Sequence, residues 1–166
     1  MAMELLRAAE RADLCTAANA KGVGLRGEYF SDTLMRGTPK LVRVDEVVDF
    51  DQSIRESSGP ATPPISSVRW SGWIKAPLTG AYRFHADAPN MRITVAKKIV
   101  AGVGAAPEQR FDMAAGRFYP IEIVVTQLTP SDARIRLEWT APHGARYVVP
   151  RALLFLPTET VAAPKA

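Results

Sequence analysis

The stretch SVRWSGWIKAPLTGAYRFHAD, residues 67–87, alternates twice. In its first half Val68, Trp70 and Ile74 fall on one side of an extended chain. Arg69, Ser71, Trp73 and Lys75 fall on the other. In its second half Tyr82 and Phe84 stand opposite Arg83 and His85, and Pro77, Thr79 and Gly80 in between are turn formers. Period two with one wet face marks antiparallel strands that bury a single side.

The same rhythm continues downstream. MRITV (residues 91–95) sets Met91, Ile93 and Val95 against Arg92 and Thr94, and IEIVVTQ (121–127) buries Ile121, Ile123 and Val125. RIRLEWT (134–140) buries Ile135, Leu137 and Trp139 and exposes Arg134, Arg136 and Glu138. Turn-forming clusters separate these runs at PLTGA, DAPN, AAGRFYP, LTPSDA and APHGA, and the prolines fall largely there, where a missing N–H does no harm. SIRESSGPATPPISS (53–67) is too rich in proline to carry a ladder and reads as a surface loop. The fold class is therefore all-β, an antiparallel β-sandwich with one N-terminal α-helix. The helix comes from residues 3–19, rich in Ala, Leu, Glu and Arg and free of Gly and Pro, with a stop at Asn19–Gly22. The chain divides into a helical arm (1–22), a sandwich domain (23–156) and a flexible tail (157–166).

Composition narrows the function. A net charge of +4 from 21 basic and 17 acidic residues, dispersed with no run of five like charges, argues against a nucleic-acid groove. The one cysteine, Cys15, excludes an internal disulfide and a cysteine metal cage. No apolar run reaches the length of a membrane span, and acids at Glu4, Glu10 and Asp13 are unlike a secretory signal.

Several strings, taken in order, resemble the PA14 domain: GLRGEYF, VDFD, the 67–87 stretch, AAGRFYPIEIVV, and ARIRLEWTAP followed by VVP. The similarity runs from about Gly24 to Leu154. It implies a β-sandwich module of the kind found in fungal adhesins and bacterial glycosidases and proteases, and an extracellular or cell-surface setting. In sugar-binding members the strand similar to AYRFHAD ends in two consecutive aspartates that hold a calcium ion. Here Asp87 matches the first acid, but Ala88 and Pro89 follow it, and Ala96-Lys97-Lys98 replaces a later Asp-Gly-Lys. A calcium ion takes six to eight oxygens. Asp87 with the Asn90 amide makes a poor cage, so calcium is disfavoured and no cofactor or metal is expected.

Catalysis has no visible constellation. His85 and His143 are the only histidines, and no nucleophile elbow, Walker loop or zinc motif is present. DEVVDFD (45–51) carries four acids, but Val47, Val48 and Phe50 among them read as strand core. The expectation is a non-catalytic binding or assembly module, with a protein partner or self-association through residues 1–22. The alternative is a lectin-type carbohydrate binder using Asp87, Asn90, Arg92 and Trp73. Nucleic acid and a membrane span are not expected as partners.

Overall fold

The computed structural model describes residues 22–50, 64–128 and 134–157. The N-terminal helix, nearly all of the C-terminal tail, most of the 53–67 loop and residues 129–133 of the LTPSDA turn lie outside those residues. What is described is essentially all β, and every pairing between strands is antiparallel.

The larger sheet is built on β4 (Ser67–Lys75), which pairs along its whole length with β9 (Phe118–Val125). On the other edge of β4, β1 (Leu25–Phe30) covers Ser67–Ser71. The final strand β13 (Leu154–Phe155) then takes over at Trp73 and Ile74. β2 (Leu41–Asp45) borders β1, while β6 (Met91–Val95) and β7 (Lys98–Gly102) extend the sheet beyond β9. The smaller sheet runs β12 (Arg146–Val148), β11 (Glu138–Thr140), β5 (Gly80–His85) and β8 (Phe111–Met113). A short ribbon pairs β3 (Asp49–Phe50) with β10 (Ile135–Arg136).

β4 and β5, consecutive in sequence, therefore belong to opposite sheets. The turn between them is locked by Tyr82, whose hydroxyl donates to the Leu78 carbonyl at 2.6 Å and accepts from the Leu78 N–H at 2.9 Å. One core joins the inner faces. Val68, Trp70, Ile74, Ile93 and Ile123 come from the large sheet, and Tyr82, Phe84 and Trp139 from the small one. Trp139 lies 4.5 Å from Tyr82 and 5.7 Å from Phe84, centroid to centroid, and Phe50 stacks on Trp70 at 5.8 Å. The alternation thus identifies most of the buried faces; Val124, buried on the other face of β9, Glu138 and Val47 depart from it. Glu138 is buried, because Arg146 and Arg136 satisfy its carboxylate. Val47 is exposed, because it sits in the bend between β2 and β3 and not in a strand.

One carboxylate organises the inner side of β1, β2 and β4. Asp45 is 6% exposed and accepts from the Trp70 indole N–H (2.7 Å), from Arg43 Nε (2.7 Å) and from the Tyr29 hydroxyl. Arg43 in turn donates to the Tyr29 oxygen at 2.9 Å and lies over the Tyr29 ring. Burial, and then the bond to Asp45, push the Tyr29 phenol well above its ordinary pKa, so it stays a donor. Gly27 makes room for the cluster: a Cβ there would meet Asp45 Oδ2 at 2.6 Å. Gly72 plays the same part for β13, since a Cβ would collide with the Phe155 carbonyl oxygen.

Asp45→Asn keeps the shape but leaves Arg43 without its counter-charge and one indole or phenol donor poorly matched. It should cost about 2–4 kcal/mol in urea unfolding, where the surface control Asp49→Asn costs under about 0.5 kcal/mol. Equal effects would mean that the cluster is incidental. Gly72→Ala should cost about 1–3 kcal/mol by forcing β13 off β4. A midpoint unchanged from the parent would contradict that packing.

Candidate functional site

β5 ends at His85 and the chain turns through Ala86–Asn90 into β6. Asp87 is exposed in that turn, and its Oδ2 accepts from Arg146 Nη2 at 2.7 Å. The same nitrogen donates to Glu138 Oε1 at 2.8 Å. The ladder explains this meeting: Glu138 stands opposite His85 on β5 and Val148 on β12, so Arg146, two residues before Val148, reaches both carboxylates. Those bonds, the one to Glu138 foremost, hold the Arg146 guanidinium still more firmly protonated than usual.

The rest of the turn offers little to a cation. Ala88 is buried and belongs to the core cluster. Asn90 is exposed in the left-handed region (φ 58°), and its carbonyl accepts from the Thr126 N–H at 3.2 Å. Ala96 and Lys97, where the resemblance would have Asp-Gly, both take positive φ and make a tight turn between β6 and β7. A cleft of about 220 Å³ beside the loop is lined by Asp87, Ala88, Pro89, Arg134 and Arg136. Among the described residues no group of three His, Cys, Asp or Glu is placed to hold a metal ion. A single carboxylate already bonded to a guanidinium, with two more arginines lining the cleft, does not fit calcium.

A second cleft, of about 290 Å³, runs along the outer side of β5. Arg83, His85 and Asp87 line it from the strand and the turn that follows. Glu108 and Gln109 face them from the connection between β7 and β8, and Ala101 and Gly102 contribute small surfaces. Glu108 is held at φ 55°, with its carboxylate 4.0 Å from Arg83. His85 Nε2 contacts Thr140 Oγ1 at 2.8 Å. Burial first, and then the nearby Arg146 and Arg83 charges, lower the pKa of His85, which favours the neutral ring.

The four residues singled out from the sequence separate into two places. Asp87 and Asn90 share the turn. Trp73 and Arg92 lie on the outer face of the large sheet, by strand geometry about 16 Å apart. Trp73 is half-buried, paired with Pro120 on one side and Phe155 on the other. The structure therefore does not bring the four into one cleft. Arg146, Glu138, Glu108 and Gln109 complete the surroundings of Asp87 and were not picked out by sequence. Arg146 is 59 residues from Asp87, directly after a Pro-Gly turn, with no periodic signal to join them.

Known proteins resemble this chain in sequence or in fold. The anti-sigma-I factor RsgI3 of Acetivibrio thermocellus is 26% identical over 152 residues, covering 84% of this chain and 22% of that protein. An anti-sigma factor domain-containing protein from Clostridium clariflavum superposes with a TM-score of 0.64 at 24% identity, over 80% of this chain and 47% of the other. This chain thus spans less than half the length of either. The Candida glabrata epithelial adhesin 9 A domain, in a subtype-switched form complexed with β-lactose, has a TM-score of 0.56 at 14% identity, with 84% and 91% covered. At these identities the two structural likenesses speak for the fold alone. The PA14 domain family model matches residues 21–152, most of the chain, and the chain belongs to the PA14 domain family.

Proposed function

We propose that this chain is a non-catalytic, calcium-independent binding and assembly module that contacts a protein partner in a surface-exposed or multiprotein structure. The observation that carries the reading is the Arg146–Asp87 ion pair, with buried Ala88 beside it. The position from which a PA14 lectin would present paired carboxylates presents one, already engaged. The large-sheet outer face carries Trp73 and a linked row of charges, Arg26–Glu28–Arg69, a wet surface of the kind that forms an interface rim. Residues 1–22 supply a further contact segment. The non-catalytic part of the reading is supported by the β5 cleft, where the His85 imidazole is tied to Thr140.

A second reading is favoured by the cleft along β5. Arg83, His85, Asp87, Glu108 and Gln109 offer both donors and acceptors, and its volume lies near the lower end of the roughly 300–1,000 Å³ usual for small-ligand sites. The subtype-switched adhesin 9 A domain, which resembles this chain in fold, is known in complex with β-lactose. Under this reading a sugar is bound without metal.

Thermal unfolding in millimolar calcium should match unfolding in chelator within about 1 °C. A ligand at 100 times its Kd adds about 2.7 kcal/mol, which for a domain of this size is roughly 6–10 °C. A shift of that order would overturn the calcium-independent reading. A glycan array run in chelator decides between the two readings. Hits that vanish in Glu108→Ala and survive in Arg92→Ala would put the sugar reading first; an empty array leaves the protein-partner reading.

A further inference from the structure

The two edges of the large sheet are treated differently. At the β7 edge the chain carries Lys97 and Lys98, and the β6–β7 register shifts between Ile93 and Thr94, an irregularity that spoils the edge as a template. Lysines and bulges are the usual protection of exposed edges. Within β2 there is no lysine, and its register on β1 shows no shift. Leu41–Asp45 pairs with β1 in unbroken register over five residues. Its outward side chains are Val42 and Val44, 48% and 47% exposed, where an ordinary edge strand would carry charge.

The residues around those valines form a self-complementary string. Lys40, Val42, Val44 and Glu46 occupy alternate positions, with the lysine just before the strand and the glutamate just after it, both exposed. If two such strands run antiparallel about a twofold axis at Arg43, Val42 of each copy faces Val44 of the other, and Lys40 of each approaches Glu46 of the other. Each half of the contact then contains an apolar pair and an opposite-charge pair, the combinations that stabilise neighbouring strands. The opposite face raises no objection. Arg43 is the residue that would meet its own copy, but its guanidinium is folded back onto Asp45 and over Tyr29. Its charge is already matched.

From this we propose that β2 is a self-pairing edge: a second copy of the chain adds to the large sheet through antiparallel β2–β2 pairing, making a continuous sheet across an isologous dimer. The proposal rests on the assembly reading above but gives self-association its own surface, separate from residues 1–22. The contact is small and the dimer correspondingly weak, seen at high micromolar concentration and not at nanomolar.

Sedimentation of the full chain over a wide concentration range tests it. A concentration-dependent dimer is expected. Lys40→Glu alone and Glu46→Lys alone should each weaken it about tenfold, since either reversal sets like charges opposite each other at both ends. The double variant K40E/E46K should restore it, because the pair is re-formed with its signs exchanged. Glu46 also reaches Arg151, but both side chains are more than half exposed, so the variants should melt like the parent. A chain monomeric at every concentration overturns the self-pairing edge and leaves the protein-partner reading intact. A dimer indifferent to both reversals overturns it too. A dimer lost on removing residues 1–21 and unaffected by the reversals assigns self-association to that segment instead.

Discussion

The buried Asp45 carboxylate is the constraint on which the larger sheet is built. A carboxylate out of water is costly unless every lone pair finds a donor, and here an indole, a phenol and a guanidinium converge on it from three strands. Each partner is then fixed for a second purpose. Trp70, held by its N–H, presents one ring face for Phe50 to stack on and ties the β3 ribbon to the core. Tyr29, held by its hydroxyl, offers its ring to Arg43. Arg43 is thereby drawn inward, leaving the valines as the outward members of β2. The polar cluster sets the register of β1 on β2 and of β1 on β4, because a one-residue slip would turn Asp45 out to solvent and Val44 in.

How much of this was legible in the sequence depends on the range of the interaction. The 67–87 stretch shows its buried face by alternation alone, and Val68, Trp70, Ile74, Tyr82 and Phe84 are all buried. The glycine in the middle of β4 signals a close approach, and the Phe155 carbonyl is what approaches. Period two says which face a residue takes, but not which sheet its strand joins. Nothing in PLTGA distinguishes a hairpin from a crossing between sheets, and β4 and β5 cross. The rule of alternation also misplaced Glu138, because a charged residue on a wet face becomes buried when Arg146 closes over it from β12 beside the neighbouring Arg136. The Arg146 contact depends on the finished fold.

The candidate site follows the same division. The absence of a second acid after Asp87 is written in the sequence, and so is the loss of Asp-Gly in the later turn. What occupies Asp87 instead is not written there, since Arg146 arrives through the pairing of β11 with both β5 and β12. The lectin alternative gathered Trp73 and Arg92 with Asp87 because alternation sets the first two on wet faces, where stacking and hydrogen bonds to a sugar are available. In space, strand order sends the first two to the outer face of the other sheet.

Magnitudes decide what disarms the loop. The Asp87 and Arg146 side chains are 61% and 45% exposed, and a pair so open to water contributes no more than about 1 kcal/mol. A divalent ion with a good cage would displace it. The decisive change is at Ala88, whose methyl group is buried in the core between the sheets. A carboxylate placed there would lie beside the cleft that Arg134 and Arg136 line, where guanidiniums and not a metal ion are the partners at hand. The loop backbone holds position 88 turned inward, and Asp87 is left without a neighbour to share a metal. The ion pair is the consequence of that inward turn: a single carboxylate beside a guanidinium fixed by Glu138 takes the partner within reach.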